Sequence, residues 1–215
     1  MRQNISKIHL EVLDSKRQEL LEKLLPFTND FILGGGTALS LQLAHRKSFD
    51  FDFFSRSKIE KIFLEKLHKA IPIADISVDS QDELTFFTSE EIKVTFLHYP
   101  FDHSFPVVDV EKGLKLFSIK DIAVQKAYTI GRRGEYRDYF DLYAVLKADY
   151  ISFSELISCA KKIHGSIFEE KIFLEQLVYF GDLLDFDIKL AKLEPLPEPE
   201  EVKRFFENLV KKYIK

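Results

Sequence analysis

Apolar residues between positions 7 and 25 recur at helical spacing: Ile8, Leu10, Val12, Leu13, Leu20, Leu21, Leu24 and Leu25. Asp14 and Ser15 split that stretch into two short helices, and Pro26 stops it. Phe31-Ile32-Leu33 suits a short buried strand, and it runs into Gly34-Gly35-Gly36. Thr37 is the expected N-cap of the next helix. Ala38, Leu39, Leu41, Leu43 and Ala44 make that helix apolar on most sides, so it should be buried. Residues 49–54 alternate as a strand does, with Phe49, Phe51 and Phe53 facing the core and Asp50 and Asp52 facing away. A helix over 59–70 should turn Ile59, Ile62, Phe63 and Leu67 inward. Strands are expected over 73–78, 84–88, 92–98 and 107–110. Asp82-Glu83 and Ser89-Glu90 supply turn chemistry for antiparallel hairpins.

The pattern changes at Ser118. Ser118 and Asp121 offer N-caps for a helix through Ile130, and Gly131-Arg132-Arg133-Gly134 is a turn. Helices follow over 136–147, 153–163 and 167–180. A Pro-rich connector over 193–201 leads to a last amphipathic helix over 202–214. The chain therefore reads as a mixed α/β half, residues 1–117, followed by a helical half, residues 118–215. The class is α+β.

Composition narrows the options. A length of 215 residues allows a sizeable core and one or two domains. With 21 Phe and no Trp, aromatic packing must come from Phe and Tyr. The net charge of −4 excludes a global basic field, so any nucleic-acid contact must be local. Lys161, Lys162, Lys171, Lys211 and Lys212 could meet phosphate or simply be solvated helix faces. One cysteine, Cys159, excludes an intrachain disulfide framework; among Leu156, Ile157, Ala160 and Ile163 it reads as core rather than nucleophile. No apolar run approaches the ~18 residues of a membrane span. Met1-Arg2-Gln3-Asn4 precedes a charged amphipathic stretch rather than a signal peptide, so a soluble, cytoplasmic protein is expected.

Two features carry chemistry. Asp50 and Asp52 project from one strand face, about 7 Å apart along the backbone. Like charges so close repel, and a hard divalent cation relieves the repulsion; Mg²⁺ favours one or two carboxylates plus substrate phosphates. The bland reading is an acidic outer strand face. The glycine run tells against it, because glycine permits positive φ and close approach, and helix N-terminal amides bind anions. No Gly-Lys-Ser/Thr follows, and the third glycine of a dinucleotide fingerprint is missing. His98, His103 and His164 lack metal spacing. Arg46, after the buried helix, could pair with an aspartate or terminate the helix.

Gly35-Gly36-Thr37-Ala38-Leu39-Ser40-Leu41, His45-Arg46-Lys47-Ser48 and Asp50-Phe51-Asp52-Phe53-Phe54 together resemble the AbiEii-type nucleotidyltransferases of the polymerase-β-like superfamily. Asp121 to Lys126, Arg132-Arg133-Gly134 and Arg137-Asp138-Tyr139-Phe140-Asp141-Leu142-Tyr143 resemble the downstream motifs of the same family. The resemblance spans roughly residues 30–146. It implies a polymerase-β-like core of mixed sheet and flanking helices, with the helical region completing the cleft. Asp50 and Asp52 would hold Mg²⁺ and the nucleotide phosphates, with Gly35, Gly36 and Thr37 lining the phosphates. Lys126 would meet the triphosphate. Asp138 or Asp141 would orient the acceptor or act as base, although Asp141 could instead anchor the arginine turn. The implied reaction moves an NMP from an NTP, such as ATP, to tRNA, another RNA or protein. The protein would then be the toxin of a toxin–antitoxin or abortive-infection pair. A catalytically inactive nucleotide- or partner-binding module on the same fold is the alternative. Many superfamily members carry a third carboxylate on a later strand. Here the corresponding positions are Thr95, or Asp109 on the strand beyond.

Overall fold

The computed structural model describes residues 3–4, 8–130, 132–183, 185–191 and 195–215. Met1, Arg2, residue 7 of the first expected helix, Gly131 of the expected turn and residues 193–194 of the connector lie outside these. The chain divides into two compact units. The first comprises residues 1–101 and 106–118, and the second residues 102–105 and 119–215.

In the first unit, the strands are β1 (Gln3–Asn4), β2 (Ile32–Leu33), β3 (Phe51–Ser55), β4 (Ile73–Asp79), β5 (Glu83–Thr88), β6 (Lys93–His98), β7 (Val108–Asp109) and β8 (Lys115–Leu116). Among the described residues they form one mixed sheet in the order β1-β7-β8-β2-β3-β6-β5-β4. The pairing of β3 with β6 is parallel; β4-β5-β6 is an antiparallel meander, as the turn residues predict. The helices are α1 (Ser15–Leu24), α2 (Gly35–Leu43) and α3 (Phe63–His68).

One face of the sheet is the core. Register places Phe51 beside Val94 and Phe53 beside Phe96. Phe86 lies beside Val94 and Leu84 beside Phe96. All six are buried. Phe96 is the hub of the aromatic cluster, with the rings of Phe31, Phe53 and Phe63 at 4.9, 5.1 and 4.9 Å. Offset and edge-to-face pairs at such distances add to the gain from burial. The opposite face carries Asp52, Thr95 and Thr85 side by side on three strands.

Several boundaries differ from the sequence reading. Asp14 is the N-cap of α1, accepting from the Arg17 amide. Pro26 lies within a 3₁₀ turn, Leu25–Phe27. The cap of α2 is Gly34, and Thr37 is inside the helix. β3 starts two residues late, so Phe49 is 38% exposed instead of buried. The Arg17 guanidinium covers its ring at 5.0 Å. The helix expected over 59–70 shrinks to α3; Ile59 is still buried, but Ile62 is half exposed. The two-residue strands β1 and β8 were not expected.

The second unit contains α4 (Ile119–Ile130), α5 (Tyr136–Lys147), α6 (Phe153–His164), α7 (Glu170–Val178) and α8 (Pro199–Tyr213). α7 is shorter than periodicity suggests, because a 3₁₀ turn occupies Gly165–Ile167. α8 begins three residues early, with Pro199 in its first turn, where the missing amide hydrogen costs nothing. Asp121, a suggested cap, instead accepts from the amides of Ser104 and Phe105 at 2.8 and 3.3 Å. Those bonds tie residues 102–105 to this unit.

Candidate functional site

The glycine turn is built around Asp52. Gly34 is extended and donates its N–H to the Asp52 carbonyl at 2.9 Å. Gly35 follows with φ +62°, in the left-handed region that glycine tolerates and other residues resist. The first amides of a helix have no acceptor inside it, and such amides suit an anion. A Cβ on Gly35 would stand 2.6 Å from Asp52 Oδ2. The carboxylate therefore lies directly against the bend, and only glycine leaves it room.

Gly36 is crowded from a different quarter. A Cβ there would meet Arg46 Nη2 at 2.2 Å and Ser48 Oγ at 3.3 Å. Arg46 is only 6% exposed, and its Nη1 donates to the Lys47 carbonyl at 2.9 Å. Ala44, in the left-handed conformation, caps the end of α2, so helix termination is not the task of Arg46. Thr37 is also buried; its hydroxyl donates to the Asp50 carbonyl and lies 2.8 Å from Ser48 Oγ. The Thr37 side chain thus holds the backbone that presents Asp50 to the start of β3.

The strand next to Asp52 offers no acid. Register sets Thr95 of β6 beside Asp52 and Thr85 of β5 beside Thr95. Asp109 lies on β7, three strands from β3 in the sheet. Among the described residues no cluster of three His, Cys, Asp or Glu side chains could hold a metal. Asp52 lies within β3, whereas Asp50 falls just ahead of it, so strand alternation does not by itself set the two acids on one face. A cavity of about 400 Å³ lined by Leu10, Leu21, Leu25, Val110 and Leu114 shares no residue with the acid pair.

In the second unit Lys126, Asp138 and Asp141 form one buried cluster. Lys126 Nζ is 2.5 Å from Asp138 Oδ1 and 2.8 Å from Asp141 Oδ2, and both carboxylates are fully buried. Arg133 grips Asp138 through Nε at 2.8 Å and Nη2 at 3.2 Å. Burial alone would push the Asp138 carboxyl up, but Lys126 and Arg133 outweigh it and hold it below the usual carboxylate range. Removing one partner from such a network is costly, because it leaves buried charge uncompensated. The i, i+3 spacing places both acids on one helical face, as the sequence implied.

A family model described as nucleotidyl transferase AbiEii toxin, type IV TA system, matches residues 19–210. The chain belongs to the AbiEii family. An uncharacterized Aquifex aeolicus protein, aq_aa25, is 32% identical over 207 residues, covering 94% of this chain and 98% of its own. The crystal structure of JHP933 from Helicobacter pylori superposes with a TM-score of 0.58 at 22% identity, over 93% of this chain and 94% of that one. MenT4, a nucleotidyltransferase toxin from Mycobacterium tuberculosis, superposes at 0.54 and 13% identity, over 94% and 86%. The two structures show a shared nucleotidyltransferase fold. Family membership brings with it an NTP substrate and an antitoxin counterpart as class properties. No helix among the described residues is long and apolar enough to cross a membrane.

The sequence reading named Arg46 and Thr95 but missed the burial of Arg46 against Gly36 and gave no role to Ser48 or Thr85. Arg46 and Ser48 stand inside the His45-Arg46-Lys47-Ser48 block that carried the family likeness. That block was the available signal, since a lone arginine after a helix otherwise reads as surface.

Proposed function

We propose that this AbiEii-family protein transfers a nucleoside monophosphate from an NTP to a hydroxyl of an RNA or protein acceptor, releasing pyrophosphate. The observation that supports this best is the Asp52 carboxylate lying against Gly35 at the head of α2. An acid beside an anion cradle is incongruous unless a cation stands between them. Bound Mg²⁺ would be held by Asp50 and Asp52 and would neutralise phosphate charge.

The chain's own groups do the positioning. The amides of Gly35, Gly36 and Thr37 head a helix and have no acceptor within it, so they are available to phosphate oxygens. Thr37 fixes the Asp50 backbone, and Gly34 fixes that of Asp52. Arg46 packs its guanidinium against Gly36. Phosphoryl-type transfer is governed by such placement and by charge neutralisation, with little covalent work for the protein. In a toxin–antitoxin pair this activity would arrest growth by blocking an RNA or protein of the host. A tRNA acceptor comes from the family likeness alone.

Asp50→Asn and Asp52→Asn should each abolish transfer from α-labelled NTPs to a deproteinised tRNA pool or a protein pool, with melting temperatures near wild type. Undiminished transfer in both variants would refute the assignment.

A further inference from the structure

On the Asp52 face of the sheet three polar residues line up where a third acid is missing. Thr95 sits beside Asp52, and Thr95 Oγ1 is 3.3 Å from Thr85 Oγ1. Thr85 Oγ1 is 2.8 Å from Glu83 Oε1. Both threonines are buried, at 4% and 3% exposure, whereas Glu83 reaches toward solvent at the end of β5. A threonine hydroxyl has one proton to give. The carboxylate is the stronger acceptor, so Thr85 donates to Glu83 and Thr95 donates to Thr85. The Thr95 oxygen is left with lone pairs for a donor on the Asp52 side.

We propose that Thr95, Thr85 and Glu83 form a proton relay that serves the incoming acceptor hydroxyl. The inference rests on the transfer reading above. As the acceptor oxygen bonds to the α-phosphorus, the bond from that phosphorus to the β-phosphate oxygen breaks, and its electron pair leaves with pyrophosphate. The acceptor proton moves to Thr95 Oγ1, the Thr95 proton to Thr85, and the Thr85 proton to the Glu83 carboxylate. Water then removes it from Glu83. Thr95 touches the reacting hydroxyl, while Glu83 acts through two intermediaries. Asp138 and Asp141 are poorly suited to this task, since Lys126 and Arg133 already claim their charge.

The test measures transfer from α-labelled ATP, CTP, GTP and UTP to the tRNA and protein pools. It is paired with calorimetric affinity for an α,β-methylene NTP with Mg²⁺ and with melting temperature. Thr95→Val and Glu83→Gln keep shape and should each lower kcat about 100-fold, as loss of proton transfer does. Analogue affinity and melting temperature should stay at wild-type values. Thr95→Ser should retain activity, and the Thr95→Val/Glu83→Gln double variant should be no slower than the worse single. Full-rate turnover in Glu83→Gln, losses that multiply, or losses matched by weaker analogue binding would each overturn the relay. If Asp52→Asn is dead while Glu83→Gln runs at full rate, transfer stands and the relay falls. A wild-type protein inert with all four NTPs fells the transfer reading and the relay with it.

Discussion

At the scale of single residues, the glycine turn separates two kinds of crowding. Gly35 is constrained twice, by φ +62° and by the Asp52 carboxylate, whose Oδ2 is 2.6 Å from where a Cβ would be. Gly36 has no positive φ and is crowded closest by one side chain, the Arg46 guanidinium. Gly35→Ala should therefore cost about 100-fold or more in transfer, since an ångström of misplacement at a reacting centre has that scale. Gly36→Ala should cost about tenfold or less, read in the same labelled-NTP assay with both melting temperatures recorded. Equal losses would argue that backbone amides, and not the Asp52 contact, dominate. The glycine bend and Asp52 on a strand were legible in the sequence because conformation and chemistry both mark them, whereas Asp50 falls just ahead of the strand expected to carry it. The burial of Arg46 was not legible, because nothing local announces that a charged side chain will be buried by its fold. Phe49 failed for a related reason: alternation puts it on the core face, but the strand begins after it and Arg17 shelters it instead.

At the scale of elements, long periodic helices were legible nearly to the residue, as α5 and α6 show. The strands β1 and β8 span two residues each, too few to carry a period, and only tertiary pairing defines them. The end of α6 carries a titration signature. His164 is 4% exposed, its ring stacks on Tyr128 at 4.2 Å, and Arg132 lies over the same tyrosine at 4.0 Å. Burial, aided by the Arg132 charge, lowers the His164 pKa from 6.5 to about 4. The unfolded chain then binds a proton between those values that the native state refuses. The contribution of His164 to stability is full above pH 6.5 and is lost as pH falls toward 4, by up to about 3 kcal/mol. Urea unfolding at pH 7 and pH 4.5 should show the drop, and His164→Leu should flatten it. An unchanged pH dependence in that variant would place the titrating group elsewhere.

At the scale of the whole molecule, the change in character at Ser118 was visible because strand-period alternation gives way to helix-period runs. The compact units divide at 118/119, with a further interchange that no pattern reveals. Residues 102–105 belong with the helices, through the two amides that bond to buried Asp121. The chain therefore crosses between units three times, at 101/102, 105/106 and 118/119. A fragment cut at the last unit boundary, residues 119–215, would leave behind two donors to Asp121. It should melt below the longer fragment 102–215 in circular dichroism; identical melting would show that the four-residue segment is dispensable. By this logic neither half of the gene is a portable cassette: recombination at the apparent seam would carry off the helices while stranding a stitch that fastens them.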